Sequence, residues 1–230
     1  MKNRIRENLS RVRANVAGAA ARTGRDPQRV KLLAVTKTIP AEVIRESLDF
    51  GVDALGENRV QEILAKQPLL PPGIEWHLIG TLQTNKIKSI LGRVHLIHSL
   101  DRWGLAEELS RRSVEAGLVS RVLIQVNISG EATKSGLFPD ELVDFISDAA
   151  SLPGLQIKGL MTMAPYADNS EAVRPVFTEL RLLAENISAK SPPAQMDYLS
   201  MGMSNDYTVA VEEGANIIRV GTAIFGARSY

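Results

Sequence analysis

Eight short apolar runs, each separated from the next by a stretch of helical character, set the tightest limit on what this chain can fold into. The runs are Val30–Lys37, Val52–Gly56, Glu75–Gly80, Val94–Ser99, Val122–Ile128, Ile157–Met163, Tyr198–Gly202 and Ile217–Phe225. Helical stretches lie between them near 41–50, 58–66, 84–91, 101–116, 139–150, 171–187 and 205–213. Strands that alternate with helices of this length pair in parallel, because only a helical crossover returns the chain to the same end of a sheet. Pro40, Pro139-Asp140 and Asn205-Asp206 stand where helices should start. Gly51, Gly92, Gly117 and Gly214 stand where they should stop, at positions that want a left-handed residue. Eight strands in 230 residues predict an α/β fold, a single (β/α)8 barrel in one domain spanning residues 1–230.

The segment Met1–Arg25 is rich in arginine and poor in acid, as a transit peptide would be. Its apolar residues Ile5, Leu9, Val12 and Val16 step by four, three and four, which is one face of a helix. No eighth helix is expected after the last strand, so this helix is predicted to take that place and cover the closing strand. Twenty-seven basic against 26 acidic residues give no overall charge that would draw in nucleic acid. The absence of cysteine rules out disulfides and thiolate metal sites, and a reducing, cytoplasmic setting is expected. No apolar stretch approaches the length of a membrane span. A monomer is expected, and metal-ligand spacings, Walker loops and nucleophile elbows are absent from the sequence.

Barrels of this kind place their chemistry at the C-terminal ends of the strands. The first such end carries Lys37, an ammonium closing the apolar run Lys31-Leu-Leu-Ala-Val-Thr-Lys37. Alternation puts Leu33, Val35 and Lys37 on one face and Leu32, Ala34 and Thr36 on the other. If the first set faces the axis, the amine stands over a pocket, where it can attack a carbonyl; otherwise it snorkels to water. After the seventh strand, Leu199-Ser-Met-Gly-Met-Ser-Asn-Asp206 leads straight into a helix, and Gly221-Thr222 offers a second set of donors after the eighth. Ser200, Ser204 and the free amides of these two loops suit a phosphate, though Ser204-Asn205-Asp206 also fits plain helix capping. Arg219 lies inside the apolar run Ile217-Ile-Arg-Val-Gly221. It needs either a neighbouring carboxylate or a polar ligand atom such as the ring nitrogen of pyridoxal phosphate. A permanent cation there would keep that nitrogen unprotonated and make the ring a weak electron sink. His77 reads equally well as a hydrogen-bonded core residue or as part of the pocket, while Lys86 and Lys134 read as solvated residues, either of which could help attract an anionic ligand.

The set Ala34-Val-Thr-Lys37-Thr, Gly56-Glu-Asn58, Trp76-His-Leu-Ile-Gly80, Leu82-Gln83, Asn85-Lys86, Gln125-Val-Asn127-Ile, Lys134-Ser-Gly136, Leu199-Ser-Met-Gly-Met-Ser204 and Arg219-Val-Gly-Thr-Ala-Ile-Phe-Gly226 covers nearly the whole chain. It resembles the pyridoxal phosphate homeostasis proteins, relatives of the barrel domain of alanine racemase. The resemblance implies a type III pyridoxal phosphate fold in which Lys37 holds pyridoxal 5'-phosphate as a Schiff base and Asn58, with His77, lines the ring pocket. It further implies that Ser200, Ser204, Gly221 and Thr222 bind the phosphate, Gly202 allows close backbone approach, and Arg219 faces the pyridine nitrogen. Such proteins carry or buffer the cofactor without an established reaction, meeting recipient apoenzymes transiently. Two alternatives stay open at this point: an amino-acid racemase or lyase using the same cofactor, and a phosphosugar enzyme in which Lys37 attacks a sugar carbonyl. A racemase needs a second acid/base on the far face of its substrate, and no segment expected to supply one is legible in the sequence.

Overall fold

The eight apolar runs pair in parallel and in chain order, the last against the first, so that the sheet closes into a barrel. The computed structural model describes residues 2–131, 134–190 and 195–227. Met1 and Tyr230, the expected limits of the first helix and of the domain, lie outside them. The strands are β1 (Lys31–Val35), β2 (Ala54–Glu57), β3 (Glu75–Leu78), β4 (Leu96–Leu100), β5 (Ser120–Gln125), β6 (Leu155–Met161), β7 (Tyr198–Ser200) and β8 (Ile217–Val220). Helix α1 (Lys2–Arg22) precedes them. Between them run α2 (Ala41–Leu48), α3 (Val60–Lys66), α4 (Ile87–Ile90), α5 (Trp103–Glu115), α6 (Leu142–Ala149), α7 (Arg174–Lys190) and α8 (Tyr207–Glu212). Gly51, Gly92, Gly117 and Gly214 take φ of +74°, +69°, +67° and +108° as the chain leaves helices α2, α4, α5 and α8, as the helix-stop reading requires.

The eighth strand is shorter than expected. Residues Ile217–Phe225 read as one apolar run, but the strand stops at Val220 and Thr222–Phe225 forms a helical turn, α9. Apolar character continues across the break because α9 buries Ile224 and Phe225 against the barrel wall, and hydrophobicity alone cannot separate a buried turn from a buried strand.

Alternation along the strands divides the apolar residues into two layers. Leu33, Ala54, Leu96, Leu123, Met161 and Ile217 fill the barrel interior. Their neighbours Ala34, Leu55, Ile97, Val122, Leu160 and Ile218 face the surrounding helices. Leu33 therefore points inward, and so does the Lys37 face of β1.

Helix α1 occupies the expected place. It buries Ile5, Leu9, Val12, Val16, Ala19 and Ala20 and packs against α8, α9 and α2, closing the gap between the end and the start of the barrel. Its polar residues fasten it there. Asn8 donates to the Ile224 carbonyl at 2.8 Å, Asn15 donates to the Tyr207 hydroxyl at 2.9 Å, and Arg13 reaches the Phe50 and Gly51 carbonyls, each at 2.7 Å. On the face that resembled a transit peptide, Lys2, Arg13 and Arg22 thus reach neighbouring elements.

Candidate functional site

At the C-terminal end of the barrel lies a cavity of about 1090 Å³. Lys37 enters it from the turn after β1 and Asn58 from just beyond β2. Arg219 reaches it from β8, the strand adjacent to β1, in register with Leu33. Ser204, Gly221 and Thr222 line the side formed by the loops after β7 and β8. Six of the nine sequence-derived site residues therefore share one cavity.

The other three, His77, Ser200 and Gly202, do not. Ser200 sits in register with Ile217, two residues below Arg219, and is fully buried beneath the cavity floor. Its hydroxyl is engaged by His98 and Arg219, which corrects the expectation that it meets a phosphate. His77 is likewise buried within the barrel, 1% exposed, with its Nδ1 2.9 Å from His98 Nε2. Gly202 has φ +90°, and a Cβ there would stand 2.6 Å from Ala210 Cβ and 3.0 Å from Tyr207 Cα. The first turn of α8 accounts for that glycine, where close approach to a ligand was expected.

The turn bearing Lys37 is held from behind. Lys66, at the end of α3, is 9% exposed. Its ammonium donates to the Thr36 carbonyl at 2.8 Å and to Glu57 and Glu62, each at 2.7 Å. Glu57 also accepts from the Thr36 hydroxyl at 2.7 Å, and Glu62 from the Thr38 amide at 2.8 Å. Thr38 adopts φ +65°, unusual for a β-branched residue. The network supports that backbone on both sides, so Lys37 projects from a fixed turn. Burial pushes the Glu57 carboxyl up, against the opposing pull of Lys66 and Thr36.

On the opposite side, the Ser204 hydroxyl accepts from the Gly221 and Ala223 amides at 3.3 and 3.2 Å, tying the loops after β7 and β8 together. The capping reading of Ser204-Asn205-Asp206 is therefore replaced by a cross-loop contact. Asp206 stands at the start of α8 but turns its carboxylate back onto the Met203 amide, and burial raises that carboxyl. Arg219 is 4% exposed. Its guanidinium donates to Ser200 Oγ at 2.7 Å and to the Thr162 carbonyl at 2.8 Å. Burial pulls it down to about 10, with Asp206 opposing through space, so it remains a cation at neutral pH. Lys86 lines the cavity, and Lys134 pairs with Glu131 at 2.7 Å.

Gly80 fixes how closely the β2 and β3 loops approach at the rim. A Cβ on it would lie 2.3 Å from the Asn58 carbonyl oxygen and 2.9 Å from its Cα. Gly80→Ala must part the two loops and displace Asn58, at an expected cost of about 1–3 kcal/mol. Thermal melts check this; an unchanged melting temperature would show that the loops can separate freely.

The chemistry of this donor set fits one kind of ligand. It combines an amine for a carbonyl, a fixed cation for a neutral ring acceptor, and hydroxyls with backbone amides for an anion. The family model described as alanine racemase, N-terminal domain, matches residues 8–229, and the chain belongs to that family. Within it, the chain is 48% identical over 225 residues to the pyridoxal phosphate homeostasis protein of Aquifex aeolicus, covering 97% of this chain and 98% of that one. The structure of PipY from Synechococcus elongatus with pyridoxal phosphate bound superposes with a TM-score of 0.85 at 38% identity, covering 96% of this chain and 100% of PipY. Alanine racemase from Corynebacterium glutamicum shares the fold, with a TM-score of 0.73 at 18% identity, and this chain covers 61% of it.

Proposed function

We propose that residues 1–230 form one barrel domain that binds pyridoxal 5'-phosphate and serves its intracellular homeostasis as a carrier or buffer. It is a cytoplasmic monomer that meets recipient apoenzymes transiently and catalyses no turnover of its own. One observation carries the reading: Lys37, from the turn after β1, and Arg219, from the adjacent β8, line the same cavity, with Ser204 and Thr222 on its wall. Lys37 would supply the amine that holds the cofactor's aldehyde carbon as a Schiff base, with loss of water. Arg219 would donate to the pyridine nitrogen and, as a lasting cation, would keep that nitrogen unprotonated. Ser204, Gly221 and Thr222 would receive the phosphate, and Asn58 would bound the ring.

The carrier reading is supported by how the cavity's carboxylates are used. Glu62 is committed to Lys66 and the Thr38 amide, and Asp206 to the Met203 amide. Both carboxylates therefore serve first to hold the protein's own backbone and side chains. Borohydride reduction of the loaded protein followed by peptide mass mapping tests the assignment. A single adduct on Lys37 is expected, together with a yellow absorption band that Lys37→Ala lacks. Colourless protein that takes up no added cofactor would defeat the reading. Incubation with single amino-acid enantiomers and chiral chromatography decides against the racemase alternative if the enantiomer is returned unchanged.

A further inference from the structure

A chain of buried side chains runs down the barrel interior from Arg219 to the opposite face. Beyond the contact of Arg219 with Ser200 Oγ, that oxygen lies 2.9 Å from His98 Nδ1, and His98 Nε2 lies 2.9 Å from His77 Nδ1. His77 Nε2 then stands 3.5 Å from the carboxylate of Glu75, at the N-terminal edge of β3, where Lys31 also pairs with it. His98 and Ser200 are fully buried and His77 is 1% exposed. The three middle members are thus shut off from solvent, which the chain meets at its Glu75 end, 36% exposed, and nothing in the cofactor assignment uses it.

The two ends dictate its direction. A guanidinium only donates and an ionised carboxylate only accepts. The His77 ring and the Lys31 ammonium hold the Glu75 carboxyl down at about 2, so that end stays ionised. Burial holds both histidines below the ordinary imidazole range, leaving one ring proton on each. With Nε2–H on His77 donating towards Glu75, His77 Nδ1 accepts from His98 Nε2–H. His98 Nδ1 then accepts from the Ser200 hydroxyl, whose lone pairs face Arg219. In the reverse arrangement the Ser200 proton has no acceptor in the chain, and a bare His77 nitrogen faces a carboxylate. Only the first arrangement uses every proton and every acceptor.

We infer that Glu75, His77, His98 and Ser200 form a polarised relay, in which the two histidines and the serine are positioning residues that orient Arg219 within the cavity. Arg219 has a hydroxyl and a carbonyl as contacts, with Asp206 acting only through space. The oriented dipoles of the relay, ending in the Glu75 charge, partly compensate the buried cation. They fix one edge of the guanidinium so that the rest is presented to the ligand. The inference rests on the reading that Arg219 meets the pyridine nitrogen.

The sequence holds only three histidines, at 77, 95 and 98, so their ring nitrogens can be followed by long-range proton–nitrogen correlation spectra of the full chain. In the ligand-free protein, single Nε2–H tautomers are expected for His77 and His98. Ser200→Ala and Glu75→Gln each release an end of the relay and should give mixed tautomers. In the protein loaded with pyridoxal phosphate, Ser200→Ala should shift the visible band and weaken uptake on the order of tenfold, the effect of one lost hydrogen bond to a charged group. An Nδ1–H tautomer on wild-type His98 would overturn the relay. So would a Ser200→Ala protein whose band and affinity match the wild type. Failure of the wild type to bind the cofactor would instead defeat the cofactor reading, and the ligand-free spectra would still decide the relay.

Discussion

Removal of residues 1–24 is expected to leave a chain that no longer unfolds cooperatively. Helix α1 buries Ile5, Leu9, Val12 and Val16, and full burial of each such side chain is worth about 1.5–3 kcal/mol. The four together reach roughly 6–12 kcal/mol, comparable with the net stability of about 5–15 kcal/mol typical of a folded domain. Deletion also uncovers the apolar faces of α8, α9 and α2 and frees the carbonyls of Phe50, Gly51 and Ile224 that α1 now satisfies. The measurement is a thermal or urea transition followed by circular dichroism on the truncated chain. A melting temperature equal to that of the full chain would show that α1 is an appendage and that the barrel closes without it.

This helix shows why so much of the fold is legible in the sequence. Its apolar stripe is local, so a single turn-by-turn reading finds it. The eight strands are bounded by glycines and prolines that act locally too. Alternation put Lys37 on the face of Leu33 and left open whether that face was inward; it is, and Lys37, in the turn just beyond β1, lines the cavity. The phosphate-loop reading misplaced Ser200. It does face inward, but β7 has only three residues, and its depth in the barrel depends on register with β8. The interior contact of His77 with His98 likewise requires the β3 and β4 register, which nothing near either residue encodes. Gly202 carried a clear signal, a positive φ, with an ambiguous cause.

Lys66 was the largest omission. A lysine closing a short helix reads as solvated, and its partners Thr36, Glu57 and Glu62 lie 30, 9 and 4 positions away. The Glu62 spacing was open to a sequence reading as a helical i,i+4 pair. Burial was the hidden part, because it arises where α3 folds back over the end of β1. The strand-end lysine therefore looked like an isolated charge, although a second lysine fixes the backbone that carries it.

Lys66→Met should accordingly cost about 3–5 kcal/mol, the range for removing one partner of a buried ion network. Methionine keeps the length of the stem, so the loss comes from what is left behind. Glu57, fully buried, would have only the Thr36 hydroxyl, and its second carboxylate oxygen already lacks a partner among the described residues. The Thr36 carbonyl and Glu62 also lose a donor, which frees the turn at Thr38 and with it the direction of Lys37. The pH response gives the loss a signature. Burial already raises the Glu57 carboxyl in the wild type, and the variant removes the ammonium that opposes this. A carboxyl whose folded pKa lies above its unfolded value favours folding below that range and opposes it as pH rises through the folded pKa. The deficit of Lys66→Met against wild type should therefore shrink in acid and widen towards neutral and alkaline pH. Urea denaturation of both proteins at a series of pH values measures this. A small deficit that does not vary with pH would mean that Glu57 finds another partner and that Lys66 is not what holds the turn. With the turn loosened, formation of the Lys37 adduct should also slow, and the borohydride-trapped yield at a fixed short time reads that second effect separately from stability.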